Sequence, residues 1–304
     1  MAMNKASSLT TTLIVGCGYL GKRVALAELR QFPGKTVYAT TRSPEKAKQF
    51  AAQGISPIIA DWTDRRTLAK LPNCDRVLVA VSYDRRGRLS RDESQVGGLS
   101  HLLDFVSPAA DVCYISTTGV YHQTGGLWVD ENSPARARGE GGLAHLRAES
   151  LLHKRRPHGR WTILRLAGIY GPGRIPRVAD VIHGRPIEGP HGGYLNLIHV
   201  DDAADAVLAA WNCERRERLY AVADDRPIIR RAFYEEIARL ARVAAPVFTT
   251  QGNDLPAAVL SARSASNKRI WNRRFRRDLM PRLTYRDYIA GLTALDFGNR
   301  GYRS

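Results

Sequence analysis

Leu13-Ile-Val-Gly-Cys-Gly-Tyr-Leu-Gly-Lys-Arg23 reads as an apolar strand running into three spaced glycines and then into a helix. Each glycine has its own task. Gly16 permits the tight turn off the strand, Gly18 lets backbone approach phosphates, and Gly21 lets the helix press on the strand. Amides at the helix N-terminus then face an anion. Gly16, Cys17, Gly18, Tyr19, Leu20 and Gly21 are therefore expected to hold a dinucleotide pyrophosphate. Leu20, Val24 and Ala27 recur at helical spacing, the context this motif needs. Alone, the pattern also fits a glycine-rich turn of some other fold, so the rest of the chain has to decide.

Strands and helices alternate after it. Residues 36–40, 55–60, 76–81, 111–116 and 161–165 read as strands, with helical spacing over 94–106 and 143–153 and Ser43 as a helix cap. Residues 76–81 are almost continuously apolar, as in strands buried on both faces of a parallel sheet. This is the signature of a doubly wound α/β sheet. From Gly171 the pattern is less regular: Gly171-Pro-Gly173, Gly189-Pro190 and His191-Gly-Gly193 mark loops. Helices are expected at 201–212 and 227–244, a strand at 218–222, and a final amphipathic helix from Tyr285.

With 304 residues, the chain is long enough for one large α/β domain carrying a smaller one. No apolar run approaches the length of a bilayer span, and the stretch after Lys5 is too short for a signal peptide, so the chain reads as cytoplasmic. Cys17, Cys74, Cys113 and Cys213 lack disulfide or zinc spacing, and no metal site is expected. Cys17 reads as a small residue in the loop. The net charge of +17 is the outlier, with arginines grouped at Arg85-Arg-Gly-Arg88, Lys154-Arg-Arg156 and 263–286. Nucleic acid is not the expected partner, because neither a binding module nor an aromatic stacking platform is evident. The charge reads as a solvated surface, part of which attracts a phosphorylated cofactor or substrate.

The second strand should carry the residue that reads the adenosine ribose, commonly an acid when the cofactor is NAD. It ends instead at Thr40-Thr41-Arg42. A guanidinium there suits a 2′-phosphate by charge and by forked geometry, so NADP is favoured with NAD as the alternative; otherwise Arg42 simply faces solvent. Asp61 either meets the adenine amino group or, like Thr63, caps the next helix. Trp62 and the strand-end residues Ala80, Val81 and Ser82 complete the expected cofactor-binding set.

In this order the motifs resemble the extended short-chain dehydrogenase/reductase family, the epimerases and dehydratases of nucleotide sugars. The resemblance rests on Gly16-x-Gly-x-x-Gly21, Asp61-x-x-Asp64, Tyr114-Ile-Ser-Thr-Thr-Gly-Val-Tyr121, Ile163-Leu-Arg-Leu-Ala-Gly-Ile-Tyr-Gly-Pro-Gly173, Asn196-Leu-Ile-His-Val-Asp-Asp202 and Leu219-Tyr-Ala-Val-Ala-Asp224, spread over nearly the whole chain. It implies a Rossmann NAD(P)-binding domain over 1–170 and a mainly substrate-binding cap over 171–304, with segments near 194–222 returning to the first domain. It places Thr117 at the hydroxyl that bonds the reacting oxygen, Pro172 near the nicotinamide, and Tyr121 along the substrate pocket. Thr117 also reads as a strand-end hydroxyl satisfying backbone. Arg174, His191 and Arg263 are candidate contacts for an acidic or nucleotide-linked substrate, or ordinary surface residues. A homodimer through helices 94–106 and 143–153 is the family's habit and would cover apolar stripes that otherwise face water.

The departure from the family is at its catalytic tyrosine and lysine. Aligned on Ala148-Glu149, those positions fall at Gly141 and His145. A phenol titrating near 10 needs the lysine to lower it, so that mechanism cannot run as written. Imidazole titrates near neutrality, which makes His145 the substitute candidate; the alternative is a solvated helix residue. The pattern resembles the family's atypical branch. Two readings follow: an NAD(P)-dependent oxidoreductase or epimerase/dehydratase-like enzyme of unknown substrate, and a non-catalytic NAD(P)-binding regulator or redox sensor.

Overall fold

The computed structural model describes residues 10–189, 191–214, 217–249, 267–295 and 297; Lys5, Pro190 and Arg263 of the sequence reading lie outside them. The first half runs β1 (Thr12–Val15), α1 (Tyr19–Gln31), β2 (Val37–Thr41), α2 (Pro44–Ala51), β3 (Ser56–Ile59), β4 (Arg76–Val79), α3 (Gly98–Leu103), β5 (Asp111–Thr117), β6 (Leu127–Val129) and α4 (Glu140–Arg155). The second runs β7 (Trp161–Leu166), β8 (Gly168–Tyr170), α5 (Val178–Ile182), β9 (Tyr194–Leu195), β10 (Leu197–His199), α6 (Val200–Asn212), β11 (Leu219–Val222), β12 (Ile228–Ile229), α7 (Arg230–Ala241), β13 (Lys268–Ile270), α8 (Arg273–Asp278) and α9 (Tyr288–Thr293).

Seven strands form one sheet in the order β11-β7-β5-β4-β1-β2-β3. The β1–β2, β1–β4, β2–β3 and β4–β5 pairs are parallel, as the expected doubly wound architecture requires. Every residue of β1 is buried, as are Val77, Leu78 and Val79 of β4, which is why these segments read as unbroken apolar runs. Ser43 does cap α2: its side chain accepts from the Lys46 amide.

The chain divides into two compact units. The first holds Met1–Ser116, Ala144–Leu164 and Ala204–Arg218; the second holds Thr117–Leu143, Arg165–Ala203 and Leu219–Ser304. In the first, the inward stripe of α1 is Leu20, Val24 and Glu28 rather than the expected Leu20, Val24 and Ala27. Glu28 is fully buried because Thr12 Oγ1 donates to it at 2.7 Å and Lys35 and Arg76 both pair with it. A carboxylate so surrounded avoids the cost of a bare buried charge.

In the second unit β8 and β10 pair in parallel, β9 and β12 antiparallel, and β6 and β13 in parallel. Its apolar core gathers Tyr170, Leu197, Phe233, Ile237 and Leu292. Asp202, wholly buried, accepts from the amides of Thr284 and Tyr285 at 2.8 and 3.0 Å and so pins the segment before α9.

Three helical expectations need correction. The 94–106 helix is a π turn, Glu93–Gly97, followed by the short α3. Gly98, the first residue of α3, packs on the Trp62 indole, where a Cβ would lie 2.6 Å away. The 227–244 helix loses its start to β12, whose Ile228 and Ile229 pair with β9. The last helix begins at Tyr288, capped by Asp287, because the Tyr285 amide is committed to Asp202. On α3 and α4, Leu99, Leu102, Ala144, Ala148 and Leu152 are buried, while Leu143 of α4 is exposed. Among the described residues no helix is long and apolar enough to cross a membrane.

Candidate functional site

In the first unit the glycine loop joins β1 to α1. Gly16 has φ +91°, a left-handed conformation, and a Cβ on it would strike the Ala80 and Val81 backbone at 2.6 Å. A Cβ on Gly21 would lie 2.5 Å from the Gly16 carbonyl, so α1 and β1 meet at backbone contact. At Gly18 nothing lies within 4 Å of the Cβ position. That open space adjoins the start of α1, whose first turn carries no acidic side chain, an arrangement that fits a pyrophosphate on the helix amides. Tyr19 stacks under the Arg23 guanidinium at 4.4 Å, and Leu20 is buried. Burial pushes the Cys17 thiol up to about 12, opposed weakly by Lys22, so it is an inert small residue there.

Arg42 follows β2. Its Nη2 donates to Asp84 Oδ2 at 3.0 Å, and its Nη1 lies 3.7 Å from Asp61. Thr41 Oγ1 accepts from the Ser43 amide. Asp61 Oδ1 also accepts from the amide and hydroxyl of Thr63, while Asp64 rather than Asp61 or Thr63 caps the following 3-10 turn. Trp62 is packed inward against Gly98. Ala80 and Val81 face the glycine loop through their backbone, and Ser82 is exposed. Asp84 was not singled out in the sequence, since only the fold brings it to Arg42.

His145 lies on α4, half-buried, with Nδ1 2.9 Å from the Tyr114 hydroxyl of β5. Burial depresses its protonation, Glu149 opposes this, and Arg91 adds to the depression. It is therefore not a solvated surface residue. One turn on, Glu149 accepts from Ser116 Oγ at 2.6 Å. The sequence marked Glu149 only as an anchor for the helix; the structure ties it to the strand.

In the second unit Thr117 Oγ1 accepts from the Gly119 amide at 3.0 Å, which leaves its hydroxyl proton to donate elsewhere. Tyr121 is buried, and its hydroxyl accepts from Arg165 Nη1 at 3.0 Å. Pro172 and Arg174 are exposed on a turn closed by paired Gly171 and Arg174 backbone bonds. His191 is buried against Phe248 with ring centroids 4.6 Å apart, and burial, then Arg231, lowers its pKa. Gly142 packs on backbone: a Cβ there would sit 2.6 Å from the Gly119 carbonyl. A cavity of about 410 Å³ lined by Asp130, Trp271, Arg273 and Arg274 holds none of the expected site residues. An aromatic and arginine stack lies beside it, with Arg269 over Trp128 and Tyr194, Trp128 on Trp271, and Arg273 over Trp271.

The sequence profile of the NAD dependent epimerase/dehydratase family matches residues 12–223. The chain belongs to this family. Protein YeeZ of Escherichia coli K12 is 27% identical over 242 residues, 77% of this chain and 85% of YeeZ. A solved putative NAD-dependent epimerase/dehydratase from Methylobacillus flagellatus is 29% identical with a TM-score of 0.72, covering 95% of this chain and 98% of that one. The UDP-Glc/GlcNAc 4-epimerase of Campylobacter jejuni shares the fold at a TM-score of 0.75 and 17% identity, covering 93% of this chain and 97% of its own. A nicotinamide dinucleotide is the cofactor typical of this family, and the loop at Gly16, Gly18 and Gly21 has the backbone shape that such a group requires.

Proposed function

We propose that this chain binds NADP in preference to NAD and works in the cytoplasm as an oxidoreductase or epimerase/dehydratase-like enzyme on an acidic, nucleotide-linked substrate. The observation that carries the cofactor preference is Arg42, a guanidinium at the end of β2 where an NAD-reading acid would stand. The exposed Arg85, Arg86 and Arg88 add positive charge to the same unit. The named activity of the Campylobacter relative supports a nucleotide-linked substrate, as does the chain's net charge of +17.

In this reading Gly16, Cys17, Gly18, Tyr19, Leu20 and Gly21 hold the pyrophosphate, with Thr41, Arg42, Asp61, Trp62, Ala80, Val81, Ser82 and Pro172 along the dinucleotide. The bound group supplies a hydride acceptor or donor at C4 of its nicotinamide. Thr117, whose Oγ1 accepts from the Gly119 amide, donates its hydroxyl proton to orient the reacting oxygen. His145 stands in for the missing lysine, with water serving as the proton source. Tyr121 and Arg174 contact the substrate, and residues 171–304 mainly shape its site.

Titration of the purified chain with NADPH and NADH, followed by cofactor oxidation against carbonyl compounds and nucleotide sugars, tests this. Selective NADPH binding with turnover is expected. Tight binding without turnover across the panel would favour the second reading, a cofactor-binding regulator. That reading draws support from Gly141, which puts glycine where the family carries its phenol.

A further inference from the structure

The Tyr114 ring is wholly buried in β5, and its hydroxyl has one hydrogen-bond partner among the described residues, His145 Nδ1 at 2.9 Å. Two proton arrangements satisfy that distance. If the hydroxyl donates, the imidazole carries its proton on Nε2 and both atoms of the bond are satisfied. If Nδ1–H donates instead, the phenolic proton is left in the interior with no acceptor among the described residues, a buried donor unsatisfied. The bond to a neutral acceptor nitrogen therefore selects the tautomer.

We propose that Tyr114 is a positioning residue that fixes His145 as the Nε2–H tautomer, so that the imidazole presents a hydrogen-bond donor rather than a base to the substrate. This rests on the reading of His145 as a site residue. Passing the Nε2 proton onward would need Tyr114 to reload Nδ1 and become a buried phenolate, which burial and the nearby Glu149 carboxylate oppose. His145 thus stabilises an oxyanion by donation, and the net proton comes from water. Tyr114 from β5, Glu149 from the same helix and Arg91 are the titratable and charged groups that act on the ring.

The test is NMR of the full-length protein labelled with ¹⁵N at histidine, read across pH with and without Tyr114→Phe. Nδ1 of His145 should show the shift of an acceptor nitrogen and Nε2 that of a protonated one. Tyr114→Phe should mix the tautomers and raise the His145 pKa, because the bond to its neutral form is gone. An Nδ1–H tautomer in the unmodified chain, or an unchanged tautomer and pKa in the variant, overturns the proposal. The parent reading is tested separately with His145→Gln, which retains a donor. Wild-type turnover in His145→Ala would overturn the role of His145 in turnover while the NMR result stood.

Discussion

Arg42 Nη2 donates to Asp84 Oδ2 across 3.0 Å, in a pair that leaves the arginine side chain 63% exposed. Exposed pairs of this kind stabilise a fold little. The consequence lies in binding, because Asp84 holds the guanidinium that a 2′-phosphate would have to engage. Arg42→Ala should weaken NADPH binding about tenfold, the effect of about 1.4 kcal/mol, and leave NADH nearly unchanged. Asp84→Asn should strengthen NADPH binding by removing a competing carboxylate. Equal losses for both cofactors in Arg42→Ala, measured by fluorescence titration, would remove the preference for NADP.

Gly16 and Gly18 should respond oppositely to the same methyl group. Gly16→Ala places a Cβ 2.6 Å from the Ala80 and Val81 backbone at a positive φ, and should cost about 2 kcal/mol or more of stability. Gly18→Ala meets nothing in the protein, so the denaturation midpoint should hold while dinucleotide affinity falls. Unchanged affinity in Gly18→Ala would place the pyrophosphate elsewhere.

Thr117 serves backbone and, in the proposed mechanism, substrate. Thr117→Ser keeps both uses and should retain most of the hydride-transfer rate. Thr117→Ala should lower it about 10²-fold, with about 1 kcal/mol of stability lost with the Gly119 bond. A single-turnover rate in Thr117→Ala equal to that of the unmodified chain would leave the hydroxyl a purely structural role.

Lys268 on β13 is buried, and desolvation, helped by Arg230, lowers its pKa to about 8. The unfolded chain, with a lysine near 10.5, then binds more protons between those two values, so folding stability should rise with pH across that window. Below about 8 both states are protonated and the penalty is constant, about 3 kcal/mol. Urea denaturation of the unmodified chain and of Lys268→Met should differ in slope between pH 8 and 10.5. Parallel curves would show that the lysine keeps an ordinary pKa in the fold.

The sheet was legible because its strands are buried on both faces: continuous apolar runs such as Leu13, Ile14 and Val15, or Val77, Leu78 and Val79, need no knowledge of their neighbours. The glycine loop was legible for a similar reason, since Gly16 and Gly21 answer local backbone demands. Helix ends were less so. The start of α9 depends on where the Tyr285 amide is spent, and Asp202, 83 residues away, decides that.

The sequence by itself determined the alternating architecture and the glycine loop at Gly16, Gly18 and Gly21, because these are written in residue type and spacing. Only the tertiary structure decided that Glu28 is an interior charge, that Asp84 clasps Arg42, and that Tyr114 holds His145. The bonds Thr12–Glu28, Arg76–Glu28, Arg42–Asp84 and Tyr114–His145 join residues 16 to 48 positions apart in the chain. A polar side chain's partner is chosen by strand order and packing, and periodicity carries no record of it.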